Sequence, residues 1–371
     1  MKTYILFIIF FLLTIGLHDR VYASTITDSQ LAQISTNIQN CYAPVFLISA
    51  AVRAGKLGGN KSVNVLEEIL KKCDELDFSS VSRNSGNQTD IARAYAMFYL
   101  ARKSVKFPHA KGIIEDNFVL KRPVCIALSK AKYHNLYKLM NNEVSRLLSK
   151  YPSTINNKNT ADEISSSHPG IKFILKNRYD SENKIVDEKL LNAMLNFALS
   201  IEIIRSSKYL EICKKVLKHS GSYLWDKPVI RAVMKIKTSD FNKYQLIKST
   251  LKSTRNTEND KCEWDFNNPA TINFSIKNIS SEAYMILSLW RLNIEHKKKT
   301  AETINSLGSS SFTAKAVAVD RLASDEETIS YLKKVLESND VNLRSFLALR
   351  LAEETNAPAR KLLKELGEVN R

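Results

Sequence analysis

Residues that break or staple a backbone are scarce in this chain. Its 371 residues include 10 glycines, 8 prolines and 5 cysteines. So few glycines and prolines, beside abundant Lys, Leu, Ala, Ser and Ile, argue for helices joined by short turns. Cys41, Cys73, Cys125, Cys213 and Cys262 are too few and too widely spaced for a disulfide scaffold. With no CxxC or CxxH pair among them, neither a redox centre nor a zinc site has support. Five is an odd number, so at least one thiol has no partner within the chain. One or two bridges remain open, with no connectivity assigned.

Spacings that carry chemistry are missing too. His109, His134, His168, His219 and His296 form no HxxxH or HExxH pair, which would set two ligands on one helix face. Surface or capping roles are expected of them. His219-Ser220-Gly221-Ser222 lacks the strand–turn–helix pattern of a nucleophile elbow and reads as a helix end. The run Gly55 to Ser62 nearly matches a phosphate-binding loop. It has Asn60 where Gly must precede the lysine, and it follows a helix-like segment, so it reads as a loop between helices. No cofactor and no metal are expected. Trp225, Trp264 and Trp290 are well separated, as core anchors would be. Lys297-Lys298-Lys299 is placed at a helix C-terminus, where the dipole favours cations. Triplets at Asn60, Asn87, Asn273 and Asn278 fit the glycosylation pattern but arise by chance in an Asn- and Ser-rich chain.

What is present begins with a leader. Lys2 precedes an apolar stretch from Tyr4 to Leu17, then His18-Asp19-Arg20, then Val21-Tyr22-Ala23 before Ser24. This is the order of a signal peptide cleaved near Ala23–Ser24. The stretch falls short of the roughly 20 residues that span a bilayer. No later run reaches that length, so the mature chain is expected to be soluble and exported, periplasmic or extracellular. The net charge of +17 becomes +16 without the leader. Export moves nucleic acid down the order of partners for such a basic chain. A solvated Lys-rich surface is the plain reading, and an anionic lipid or glycan partner stays open. Residues 281–371 hold 14 Lys/Arg against 13 Asp/Glu, so the excess lies upstream, in 24–280.

Helical periodicity organises the rest. Val63, Leu66, Ile69, Leu70 and Cys73 mark one helix face. Residues 91–101 suit a helix packed on several sides. Leu136, Leu139, Met140, Val144 and Leu147 mark another face, with Asn135 as a cap. The polar segment 151–170 is the best boundary between an N-terminal helical region (24–150) and a central one (171–255). In the central region Leu190, Leu191, Met194, Leu195 and Leu199 form an apolar face. Similar segments recur at Tyr209 and Tyr244, with a short helix over 229–237 between them. Residues 256–280 break the pattern. There Phe266, Ile272, Phe274 and Ile276 partly alternate with polar residues, which fits a small hairpin or extended loop near 262–278.

The last 91 residues, 281–371, hold the clearest internal order. Arg291-Leu292, Arg321-Leu322 and Arg350-Leu351 recur at intervals of 30 and 29, each closing an Ala/Leu/Val-rich helix. A polar gap and an amphipathic segment follow each pair. In the middle unit Ile329, Leu332, Val335 and Leu336 face one way, with Lys333, Lys334 and Glu337 outside. Asp340 and Arg344 open the final unit, whose Lys361, Lys364, Glu365 and Glu368 are polar enough to cap an array. On these residues the chain resembles HEAT-type helical repeats of a short variety. The first unit departs from the pattern by lacking the opening Arg.

That resemblance implies an all-α, α-solenoid-like array in which stacked helix pairs share a continuous core. It further implies a non-enzymatic scaffold or adaptor that binds another protein along a concave face. The competing reading is a secreted enzyme or effector with its site in 24–280 and the repeats as a docking module. A third is attachment to anionic lipid or glycan.

Overall fold

The computed structural model describes residues 28–40, 43–57, 59–78, 85–150, 188–219, 223–254, 280–338 and 340–369. The leader, the segment 151–170 and the hairpin expected near 262–278 lie outside the described residues. So do Cys41, Cys262, His168, Trp264, Asn273 and Asn278. Among the described residues the chain is all-helical, with seventeen α-helices, two short 3-10 turns and no strand. Among these residues the one β-type contact is an isolated bridge between Ser206 and Lys237. No described helix is long and apolar enough to cross a membrane. The chain forms two compact units, Met1–Leu136 and Tyr137–Arg371.

The first unit comprises α1 (Asp28–Gln39), α2 (Pro44–Lys56), α3 (Asn60–Phe78), α4 (Ser85–Lys103), α5 (His109–Asp116) and α6 (Arg122–Lys130). A proline in the first turn starts both α2 and α6, where its missing N–H is not needed. Val63, Leu66, Ile69, Leu70 and Cys73 are fully buried along α3, as their spacing predicts. The centre of the unit is α4, which packs against α2, α3, α5 and α6. Alanines 92, 94, 96 and 101 let these neighbours approach, while Met97 and Leu100 fill the space between them. Where α2 meets α4, Gly55 lies against Tyr99 so closely that a Cβ would stand 2.1 Å from the ring. Arg93 on α4 is 2% exposed and pairs with Asp74 of α3 at 2.6 Å.

The second unit begins with α7 (Leu136–Lys150, all but its first residue), on which Met140, Val144 and Leu147 are buried as expected. Then come α8 (Glu188–Ile204), α9 (Leu210–Lys218), α10 (Tyr223–Lys235) and α11 (Asp240–Thr254). They are followed by α12 (Ser281–Trp290), α13 (His296–Ser306) and α14 (Phe312–Ala323). A 3-10 turn (Ile329–Leu332) leads into α15 (Lys333–Leu336), and α16 (Val341–Glu353) and α17 (Ala357–Val369) complete the unit.

Alternate helices pack in chain order: α8 on α10, α10 on α12, α12 on α14, and α14 on α16. We call these the first helices. The second helices (α9, α11, α13, the 3-10/α15 segment and α17) each pack on a first helix beside them. The apolar core is continuous through the last two pairs, from Ala316 and Val319 through Leu332 and Phe346 to Leu362 and Leu366.

Two local details differ from the sequence reading. On α8 the buried side is Leu190, Met194, Phe197, Ala198 and Ile201, while Leu191, Leu195 and Leu199 are only partly covered. The buried stripe is therefore turned about one position from the one expected. The amphipathic segment at 329–336 buries Ile329, Leu332, Val335 and Leu336 as predicted but is not one helix. Thr328 Oγ1 donates to Leu322 O at 2.7 Å, which tightens the preceding turn and starts the segment as 3-10.

Candidate functional site

Three first helices begin with the same device. Ser280, Ser311 and Asp340 are N-caps whose side-chain oxygens accept from Ala283, Ala314 and Leu343 N–H at 3.1, 3.1 and 3.0 Å. These caps recur at 31 and 29 residues and set the register of the pairs more directly than the Arg-Leu doublets do. The first two caps are joined. Ser311 Oγ donates to Ser280 Oγ at 2.9 Å, and Ser280 N–H donates to Thr313 Oγ1 at 2.9 Å. Ser309 adds a short bond to the Glu282 carboxylate and accepts from Ser311 N–H at 3.0 Å. Ser280, Glu282, Ser309, Ser311 and Thr313 are all buried, so this seam of hydroxyls is sealed from solvent. Its hydroxyls serve caps and one another, which suits holding helix ends in register. Asp340 is more open and is reached by Lys315 Nζ at 3.3 Å.

At the other ends of the first helices stand the Arg-Leu doublets. Leu292, Leu322 and Leu351 are all in the core, at 2%, 0% and 0% exposure. The arginines behave differently from one another. Arg291 is exposed at the C-cap of α12, Arg321 lies 3.6 Å from neighbouring Asp320, and Arg350 reaches across to Asp320 at 2.9 Å. Arg350 also pairs with Glu353 and Glu354. Arg344 is partly buried one turn into α16. The leucines thus share one role, while of the doublet arginines Arg350 ties one first helix to another, as Arg231 of α10 does with Glu202 of α8.

The second helices are linked by charge and aromatic contacts. Lys248 of α11 pairs with Glu302 of α13 at 3.0 Å, and that glutamate is 4% exposed. Lys298 sits 5.5 Å above the Phe241 ring. His296 Nε2 meets Asp325 at 2.9 Å, its ring edge-on to Trp290, whose Nε1 donates to Thr303 at 3.0 Å. Lys297-Lys298-Lys299 corrects the expectation of a helix C-terminus: all three lie in the first turn of α13. Glu295, directly before the helix, offsets the unfavourable dipole by pairing with Lys298 at 2.7 Å.

The remaining sequence candidates fall at scattered places. Gly55 and Lys56 end α2 and Asn60 opens α3, so the near-match to a phosphate loop is a turn between two helices. His219 is the C-cap of α9 and stacks on buried Trp225. His109 and His134 are exposed. Asn135 gives its side-chain amide to Glu115 at 2.8 Å. Burial pushes the Cys213 thiol up to about 12. Burial also raises Tyr284, against the opposing pull of Arg231 and Arg291. Among the described residues no group of three His, Cys, Asp or Glu is placed to hold a metal.

Two contributors escaped sequence reading: the Ser280 and Ser311 caps, signalled by a serine before an Ala-containing helix start, and Gly55. Compared with protein-family models, curated proteins and solved structures, the chain matches none.

Proposed function

We propose that the chain is an exported, non-enzymatic helical-repeat protein of HEAT type whose second unit binds another protein along its second helices. The observation that carries this reading is the unbroken packing order of the first helices, α8 to α16, with a second helix attached at every step. Such an order repeats one surface along the unit, the property that suits repeat proteins to extended partners. Phe241 and Tyr331, 49% and 44% exposed, stand on second-helix segments and offer aromatic anchors of the kind that dominate protein interfaces. The leader supplies the export part of the proposal.

Photo-crosslinking residues placed at positions 241 and 331 in the source cells test it. One discrete protein adduct is expected at both positions, and a control at Ser345 on first helix α16 should give none. The same adduct from all three positions, or none from 241 and 331, would refute the assignment.

A further inference from the structure

We propose that the end of the first unit where α2 and α4 finish together is a docking site for an anionic bilayer surface. Two acid-free stretches build it. Neither 43–66 nor 91–114 contains an Asp or Glu. The fold lays them side by side: Gly55 of α2 faces Tyr99 of α4, and two residues past Gly55 the Leu57 carbonyl accepts a short bond from Lys103. The two helices therefore run in the same sense and end at the same place. Arg53 and Lys56 occupy the last turn of α2, and Arg102 and Lys103 the last turn of α4. Lys106 lies in the turn after α4, its N–H bonded to Lys103 O at 2.9 Å, and Lys61 sits in the opening turn of α3.

Each of the six cations lies within four residues of Leu57 or Lys103 along the chain, and all but Lys103 are exposed. Two helix C-termini tolerate positive charge there. The crowding is felt electrically: burial first, then the Lys106 charge, lowers the pKa of Lys103.

Val105 decides the kind of partner. It is 87% exposed, the barest large apolar side chain among those described, and it stands between Lys103 and Lys106. A soluble polyanion could meet the positive charge but would leave Val105 in water. The headgroup region of an anionic bilayer accepts both, cations at phosphate level and the apolar tip just below. This site belongs to the first unit and does not depend on the protein-binding proposal for the second.

The test is cosedimentation of the full chain with vesicles of phosphatidylcholine alone, or of three parts phosphatidylcholine to one part phosphatidylglycerol. Binding should be at least about tenfold stronger to the anionic vesicles and should weaken as salt is raised. A Lys56→Glu/Lys106→Glu variant should lose about twentyfold or more, from about fivefold per cation removed. A Lys56→Gln/Lys106→Gln variant with an unchanged thermal melt guards against misfolding and should lose somewhat less. A Val105→Trp variant should shift its emission to the blue on anionic vesicles and stay unshifted with heparin. Equal binding to both vesicle types would mean apolar partitioning, as through Tyr4 to Leu17, and would overturn the proposal. So would binding that survives both double variants. An emission shift of the Val105→Trp variant with heparin alone would also overturn it, by pointing to a soluble polyanion. Crosslinks from 241 and 331 report on the other proposal independently.

Discussion

Replacing Ser311 with alanine removes one oxygen from the buried seam and loses more than a cap. The Ala314 N–H loses its acceptor, a change worth about 1 kcal/mol at an N-cap. The Ser280 hydroxyl loses its 2.9 Å donor inside a sealed site, and a buried polar group left one partner short costs about 1–3 kcal/mol. The two together come to about 2–4 kcal/mol. Asp340→Ala at the next cap should cost about 1 kcal/mol for the cap. It adds well under 1 kcal/mol for the part-exposed Lys315 pair.

Amide hydrogen exchange separates the two cases, because it reads each helix locally in a chain of two units. Amides over 312–323 should exchange about 30- to 700-fold faster in Ser311→Ala, at about tenfold per 1.4 kcal/mol. Asp340→Ala should speed 341–353 by about tenfold or less. Exchange in the Ser311 variant within about threefold of the wild type, or an Asp340 variant equal to it, would contradict the role assigned to the joined caps.

Gly55→Ala should destabilise the first unit by about 2–3 kcal/mol through overpacking against Tyr99, and Gly55→Ala/Tyr99→Leu should recover part of that loss in a urea melt. Leu322→Ala should cost about 2–5 kcal/mol and Arg321→Ala less than about 1, since only the leucine fills core space; equal costs in denaturant would contradict this. Cys213 should resist iodoacetamide at mildly alkaline pH until urea is added, as read by peptide mass mapping. Its raised pKa means the folded state holds the thiol proton more tightly than the unfolded state does. That contribution is intact below 9.0 and is lost as pH climbs towards about 12, so the alkaline fall in stability should be shallower in Cys213→Ala.

Much of the helical pattern was visible in the chain because core positions recur every three or four residues. Val63 to Cys73, Met140 to Leu147 and Ile329 to Leu336 are buried where periodicity put them. The Arg-Leu doublets marked the ends of three first helices, though their leucines carry the packing. Less visible were features settled by partners distant in sequence. Ser280 and Ser311 look like ordinary serines until the fold brings their caps together across 31 residues. Lys297 to Lys299 suggested a helix end, yet Glu295 and the Phe241 ring let them begin one. The buried stripe on α8 departs by about one position from the periodic one because Leu, Ile and Phe fall on every side of that helix, leaving periodicity little contrast.

The contact of Gly55 with Tyr99 bears on ancestry. A side chain at 55 would collide with the ring at 99 unless one of them shifts, so neither position is free to drift alone. In distant relatives the two should change as a pair, a bare backbone at 55 travelling with an aromatic at 99. Lineages that trade the ring for a smaller group should be the ones in which 55 first acquires a methyl. That pairing, set beside the Ser, Ser and Asp caps, provides a signature by which kin could be recognised after overall identity has faded.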